Sequence, residues 1–441
     1  MHMIRAIRKI TTMLLTLALL FTLIPGAALA AGSDSSLSTS ISAFGKNKTL
    51  RILAIGNSFS VDGLHYLYQM AESAGYDVVI GNLYAKKCTL KDHWNKATAC
   101  TYYKISDATS GSWGKTSNAS MAYAVQDEAW DVITFQQASA ESGVPASYQS
   151  FSWSCSVSGN INESIPLSAS VVEWSSEPVV TAEASSDTSE ATESAAKGRE
   201  RQSITCGVAE NGSSSSFSLN ASAQTDLSYR SSNESVATVD QNGTVTLTGS
   251  GTATVTITAA SSEQYYGATA RVTISSQLED YLSLLTDYAR TKYRKKYGSR
   301  AAKKLKFGWQ MTWAYAKKGV RNGFSDSYAA NYSSDQDTMY QAIVDTVQTT
   351  VAGSKLFSVC VPSGTAVQNA RSSYAGDRLN RDGVHLTYGL GRYIAGMTWA
   401  ATLGIPLDEI TYRPTKTYAI SSLDMEMIRA SVTAAVAHPW A

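Results

Sequence analysis

The feature that most constrains this chain is an abrupt change of character in its middle. Residues 204–276 contain no Lys, His or Trp and are dominated by Ser, Thr, Val and Gly. Apolar and polar residues alternate in Val236-Ala237-Thr238-Val239 and again in Thr244-Val245-Thr246-Leu247, on either side of Asp240-Gln241-Asn242-Gly243. Period-two alternation around an Asn-Gly turn predicts a β-hairpin. Residues 252–257 and 270–274 supply further strands, so about seventy residues of short strands and turns predict a small all-β sandwich. Ahead of it, in residues 175–195, Ser, Thr, Ala, Glu and Asp make up 18 of 21 positions. Such a composition buries no core and predicts a linker.

The flanks have a different grammar. Leu50-Arg51-Ile52-Leu53-Ala54-Ile55 is a near-continuous apolar run, suited to a strand buried on both faces of a parallel sheet. It ends in Gly56-Asn57-Ser58-Phe59-Ser60, and a helical period follows through Leu64, Leu67, Met70 and Ala71 to Gly75. Further strands are expected at 76–80, 130–135 and 356–361, with helices at 278–297, 339–351 and 388–404. Strands alternating with helices predict an α/β fold with a parallel sheet, whose ligands gather at the C-terminal strand ends. Ser58 lies at such an end. The expected organisation is 1–30 signal peptide, 31–48 N-terminal linker, 49–148 first part of the α/β domain, 149–203 linker, 204–276 all-β insert and 277–441 second part.

The N-terminus reads as an address. Arg5, Arg8 and Lys9 precede an apolar run from Met13 to Ile24, then Pro25-Gly26 and Ala28-Leu29-Ala30. A basic region, a short apolar core and an A-x-A site make a secretory signal peptide, so the expected location is extracellular. Loss of those three cations takes the formal charge of +1 to −2. A near-neutral chain without a basic stripe argues against nucleic acid as a partner, and no second long apolar run calls for a membrane. P-loop, His-Glu-x-x-His, Cys-x-x-Cys and Gly-x-Ser-x-Gly motifs are absent, which removes several common enzyme classes. Cys88 with Cys100, and Cys155 with Cys206, are spaced so that each pair can bridge, while Cys360 in an apolar run reads as a buried thiol.

A serine nucleophile needs a base, and the base an orienting acid. Histidine is scarce: five in the chain, one of them in the leader. His385 sits in Asp382-Gly383-Val384-His385 just before the last helix. An Asp three residues ahead of a His can hold its Nδ1 and leave Nε2 to take the serine proton.

These blocks carry two resemblances. Residues 231–239 (SSNESVATV), 242–245 (NGTV) and 251–257 (GTATVTI) resemble bacterial Ig-like (Big) domains, which implies a spacer or a module that contacts cell-surface or host glycans. Residues 53–60 (LAIGNSFS), 135–139 (FQQAS) and 380–387 (NRDGVHLT), with Gly391-Arg392-Tyr393, resemble a secreted bacterial branch of the SGNH (GDSL-type) hydrolases. That resemblance implies a three-layer α/β/α, flavodoxin-like parallel sheet interrupted by the Ig-like sandwich. It implies Ser58 as nucleophile, His385 as base and Asp382 as orienter in an esterase acting on carbohydrate acyl esters. No metal or organic cofactor is needed. The block that offers an oxyanion-hole glycine falls at Lys86-Lys87-Cys88, with Lys87 in its place, and Gln136 or Gln137 stands where an Asn donor is usual. His93 is a further pocket candidate. The alternative is a non-catalytic glycan-binding or adhesion protein that uses the same pocket.

Overall fold

The computed structural model describes residues 37–41, 48–95, 100–158, 160–161, 170–173, 199–317, 332 and 335–441. The leader expected at 1–30, most of the segment 31–48 and the Ser/Thr/Glu-rich stretch 175–195 lie outside the described residues.

The apolar run at residue 50 forms β1 (Leu50–Gly56), with every residue but Arg51 buried. It leads into α1 (Ser58–Leu64) and α2 (Leu67–Ser73), then β2 (Val78–Tyr84). The single helix expected from 58 to 75 is thus broken at His65 and Tyr66, whose side chains bond to the 388–392 segment instead. After α3 (Leu90–Asn95) come β3 (Cys100–Ile105), β4 (Gly114–Ala119), α4 (Met121–Asp127) and β5 (Val132–Phe135).

The chain then enters an all-β excursion. Its strands are β6 (Gln149–Ser158), β7 (Asn160–Ile161), β8 (Ser170–Glu173), β9 (Ser203–Cys206), β10 (Asn211–Gly212), β11 (Ser216–Ser218), β12 (Leu227–Ser231), β13 (Ala237–Val239), β14 (Thr244–Leu247), β15 (Gly251–Ala259) and β16 (Ala268–Asp280). They form a five-stranded sheet, β10-β6-β16-β15-β12, and two three-stranded sheets, β11-β14-β13 and β7-β8-β9, all antiparallel. The expected hairpin at 236–247 is present as β13–β14. The linker expected at 149–203 is corrected at both ends. Residues 149–158 pair with 271–280 in unbroken register from Gln149↔Asp280 to Ser158↔Arg271, and β9 begins at Ser203. The alternation Phe151, Trp153, Cys155, Val157 puts apolar side chains on one face of β6, which is why it joins the sheet. The expected boundary at 277 moves as well, because β16 runs on to Asp280, which caps the next helix.

That helix is α5 (Tyr281–Lys304), interrupted at Gly298. It is followed by β17 (Lys306–Gln310), α6 (Gln336–Thr346) with a π turn at Val347–Ala352, β18 (Val359–Val361), α7 (Ser363–Arg371), α8 (Leu390–Thr402) and α9 (Ser422–Ala437). The main sheet has the order β18-β17-β5-β1-β2-β3-β4. Strands β18, β17, β5, β1 and β2 run parallel, as expected, but β3 and β4 are antiparallel additions, so the sheet is mixed. Neighbouring residues of a strand face opposite sides. Phe307 of β17 lies under Arg290 of α5, whereas Gln310 donates to the Phe59 carbonyl of α1. Positions 307 and 310 differ in parity, so α5 and α1 cover opposite faces and the sheet is the middle of three layers.

The α/β core and the all-β excursion have separate apolar cores. Gln149 and Asp280 are direct partners, so the excursion leaves and re-enters the core at adjacent points, a geometry that tolerates insertion. Replacing residues 151–278 with a short Gly-containing turn is expected to leave a core with one cooperative thermal transition. Calorimetry showing no such transition would mean that the core needs the excursion to fold.

Candidate functional site

Gly56 closes β1 because the space where its Cβ would sit, 2.7 Å from Gln136 Cδ, is filled by that side chain. Asn57 then caps α1: its Oδ1 accepts from the Phe59 amide at 3.0 Å, and its Nδ2 donates to the Cys88 carbonyl at 3.0 Å. Ser58 is the first helical residue, so its own N–H has no partner within the helix.

The segment after the 3-10 turn at Gly376–Leu379 meets it from the other end of the chain. Gly383 adopts φ +83°, a conformation that favours glycine. The turn lets Asp382 Oδ1 accept from the amides of Val384 (3.1 Å) and His385 (2.7 Å). Asp382 Oδ2 lies 2.7 Å from His385 Nδ1, and His385 Nε2 lies 2.8 Å from Ser58 Oγ. Burial by itself would raise the Asp382 carboxyl. The His385 amide and ring, with the Val384 amide, outweigh it and hold the group below its ordinary value. Asp382 is therefore an anion at neutral pH that holds Nδ1 of the His385 ring and so turns Nε2 to the serine. Phe59 stacks on Trp313 at 4.2 Å, and Trp313 Nε1 donates to the Val384 carbonyl at 2.9 Å, which braces the histidine loop. Trp309 and Trp313 are both buried, one in β17 and one just beyond it, and serve packing.

The other expected site residues divide. Lys87 lines a cleft of about 200 Å³ together with Ser58, Ser139, Glu141, Tyr315 and His385. Its φ of +57° is again one that glycine adopts most readily. Gln136 and Gln137 are not brought to the serine as amide donors. Gln136 Nε2 is spent on Asn57 Oδ1 at 2.8 Å, so it orients the cap. Gln137 accepts from the Leu90 and Ala138 amides and donates to Ser147. His93 is buried in α3 with Nε2 3.2 Å from the Gly56 carbonyl, behind the serine turn rather than in the cleft. None of the five cysteines is in a disulfide, so neither Cys88–Cys100 nor Cys155–Cys206 is bridged.

The sequence reading missed the group that joins the halves of the site. Asp62 is fully buried four residues after Ser58, on the same face of α1. Its carboxylate accepts from Arg392 Nε at 2.8 Å, from the Leu386 amide at 2.9 Å and from Arg381 Nη1 at 3.3 Å. Arg392 Nη1 also bonds His65 Nδ1 at 3.1 Å. Burial first, then Arg392 and Arg381, push the His65 pKa from its ordinary 6.5 down to about 4. The signal for this cluster was an acid one turn after the serine and two arginines, in Asn380-Arg381 and Gly391-Arg392, beside the histidine block.

The fold and this geometry define a class: an α/β protein with a serine–histidine–aspartate hydrogen-bonded chain at the C-terminal end of a central strand. The family model of DUF4886, a domain of unknown function, matches residues 51–152 and 232–435, and the chain belongs to that family. No curated protein matches the sequence. The crystal structure of a DUF4886 family protein from Bacteroides uniformis ATCC 8492 is similar with a TM-score of 0.52 at 23% identity, over 89% of this chain and 97% of that one. At that identity the likeness is one of fold.

Two outcomes follow from Asp62 and His65. Asp62→Asn leaves two guanidinium groups with their buried anion removed, and is expected to cost about 3–5 kcal/mol of stability in urea unfolding; a loss under ~1 kcal/mol would show the cluster to be dispensable. Between pH 6.5 and about 4 the unfolded chain carries a proton on His65 that the folded chain refuses. Stability therefore falls as pH drops through that window. His65→Gln should make the fall shallower by one proton, and an unchanged slope would contradict the assignment.

Proposed function

We propose that this protein is a secreted serine esterase of the SGNH type that hydrolyses acyl esters, acetyl foremost, on carbohydrates. The observation that carries the reading is the unbroken chain from Ser58 Oγ to His385 Nε2 at 2.8 Å and from His385 Nδ1 to Asp382 Oδ2 at 2.7 Å. These distances meet the geometric requirement for a serine activated by an adjacent base that is itself oriented by an acid.

In the first step Ser58 Oγ attacks the ester carbonyl carbon while its proton passes to His385 Nε2. The imidazolium so formed is stabilised by the ionised Asp382. The developing oxyanion is held by the Ser58 amide at the start of α1 and the backbone amide of Lys87; the side chains of Gln136 and Gln137 are committed elsewhere. Collapse expels the sugar alkoxide, which takes the proton from His385. Water then attacks the acyl-enzyme with His385 as base, releasing the carboxylic acid and restoring Ser58. Nothing in this sequence needs a metal or an organic cofactor.

The excursion is proposed to be a bacterial Ig-like domain. Its stacked antiparallel sheets and its composition support that reading, with the glycan-contact or spacer role that the resemblance implies. The rival, a glycan-binding protein without turnover, is distinguished by rate.

Ser58→Ala and His385→Ala should each lower kcat on an acetylated oligosaccharide by about 10⁴-fold or more, because the two act as one unit. Asp382→Asn should lose less, the imidazole staying in place but poorly oriented. Acetate release at the parental rate in Ser58→Ala would refute the nucleophile. Glycan binding by the parent, with no release from a broad ester panel, would establish the rival.

A further inference from the structure

Ser58 stands where two clefts meet. Besides the cleft shared with Lys87 and His385, a larger one of about 380 Å³ opens on the other side of the serine. That volume is within the range of ~300–1,000 Å³ typical of small-molecule sites. Its walls come from the two ends of the chain: Tyr84, Tyr103 and Trp113 from the β2–β4 edge of the sheet, and Arg381, Arg392 and His65 from the site's arginine cluster.

The chemistry of the two walls differs. The aromatic side offers ring faces, with Tyr84 and Tyr103 centroids 6.3 Å apart and tilted by 58°. Flat aromatic groups of this kind suit the apolar face of a sugar ring. The basic side carries two guanidinium charges against the single carboxylate of Asp62, and His65 is uncharged above pH about 4. The cluster therefore keeps one net positive charge in the cleft wall. Arg392 is engaged by Asp62 and His65. Arg381 lies over the Tyr388 ring at 4.8 Å and hydrogen-bonds through Nη1, toward Asp62 and the Leu386 carbonyl; among the described residues its Nε and Nη2 donate to none. Those two groups form one edge of the guanidinium fork, the edge that binds a carboxylate in bidentate fashion. Neutral His65 accepts at Nδ1, so it carries its proton on Nε2 as a further donor.

We infer that the larger cleft is a subsite for an acidic sugar, a pyranose ring bearing a carboxylate, stacked on the Tyr84, Tyr103 and Trp113 wall with its carboxylate on the free edge of Arg381. A single net positive charge and a planar donor pair fit a monoanionic carboxylate better than a dianionic phosphate. The inference rests on the esterase reading for its place in the reaction: the ester to be cleaved is carried on, or next to, a uronate residue. The subsite itself is independent of turnover.

The test compares methyl α-D-galactopyranosiduronate, methyl α-D-galactopyranoside and galactose 6-phosphate, titrated calorimetrically into the full chain. Expected is binding of the uronate at least about tenfold tighter than of the neutral glycoside, as a charge-assisted bidentate pair supplies. The advantage should shrink when salt is raised from low to about 0.5 M and should disappear in Arg381→Gln. Arg381→Lys, which keeps the charge but not the fork, should retain part of it. If Arg381→Gln does not fold, the ligand pair and the salt series on the parent still decide. Equal binding of uronate and neutral glycoside, or tighter binding of the phosphate, overturns the inference. Hydrolysis of 4-nitrophenyl acetate in parallel separates the two claims. A protein that cleaves it but ignores the uronate keeps the esterase and loses the subsite, and one that binds the uronate but cleaves nothing does the reverse.

Discussion

The buried carboxylate of Asp62 is the contact on which the site depends. Ser58 and His385 are 327 residues apart, with the whole all-β excursion between them. The serine turn and the Asp-Gly-Val-His turn touch through Ser58 and His385 and through the Phe59 and His385 rings, and a buried charge ties the two segments together. Asp62 does so because one face of α1 carries both the serine and the acid. The carboxylate takes the Leu386 amide, next to His385, and two guanidinium groups that flank the histidine block. An anion this deep is costly unless paired and hydrogen-bonded. Asp62 is satisfied only when the 381–392 segment is seated against α1. The register of the proposed catalytic pair therefore follows from the burial of a group outside it.

The core accommodates the excursion by the same economy. Ten residues of β6 pair with ten of β16 down to Gln149↔Asp280, and Asp280 at once caps α5 by accepting from the Leu282 amide. The interruption is closed at its base before the core resumes, so β5 and β17, on either side of it in sequence, pair directly in the main sheet. The second antiparallel addition, β3–β4, shapes the candidate site instead. It extends the sheet edge beyond β2 and brings Tyr103 and Trp113 to the wall of the larger cleft.

What was legible in the sequence was what is local. The run from Leu50 to Ile55 and its Gly-Asn-Ser end, the Asn-Gly hairpin and the Asp-x-x-His spacing each encode their geometry within a few residues, and each appears as read. The alternation in β6 was equally visible but was overshadowed by the Ser-rich composition around it. Strand β4 carried no such pattern: five of its six residues, Gly114 to Asn118, are exposed, so neither apolar period nor burial marked it. Gln136 and Gln137 show the limit of reading by position. Both are buried near the serine, yet their amides are taken by Asn57, Leu90, Ala138 and Ser147, partners that only the tertiary fold assembles. Nothing local marks Asp62 for the same reason, since its arginines lie more than three hundred residues away.

The central claim is that Ser58 Oγ is a nucleophile activated by His385. It is tested most directly by a fluorophosphonate, whose phosphorus is attacked by an activated serine oxygen with loss of fluoride. Intact-mass and peptide-mass measurements should show one stoichiometric adduct on the peptide containing Ser58, formed at neutral pH, absent in Ser58→Ala and strongly slowed in His385→Ala. No adduct on the folded parent, or an adduct whose rate is unchanged when His385 is removed, would contradict it.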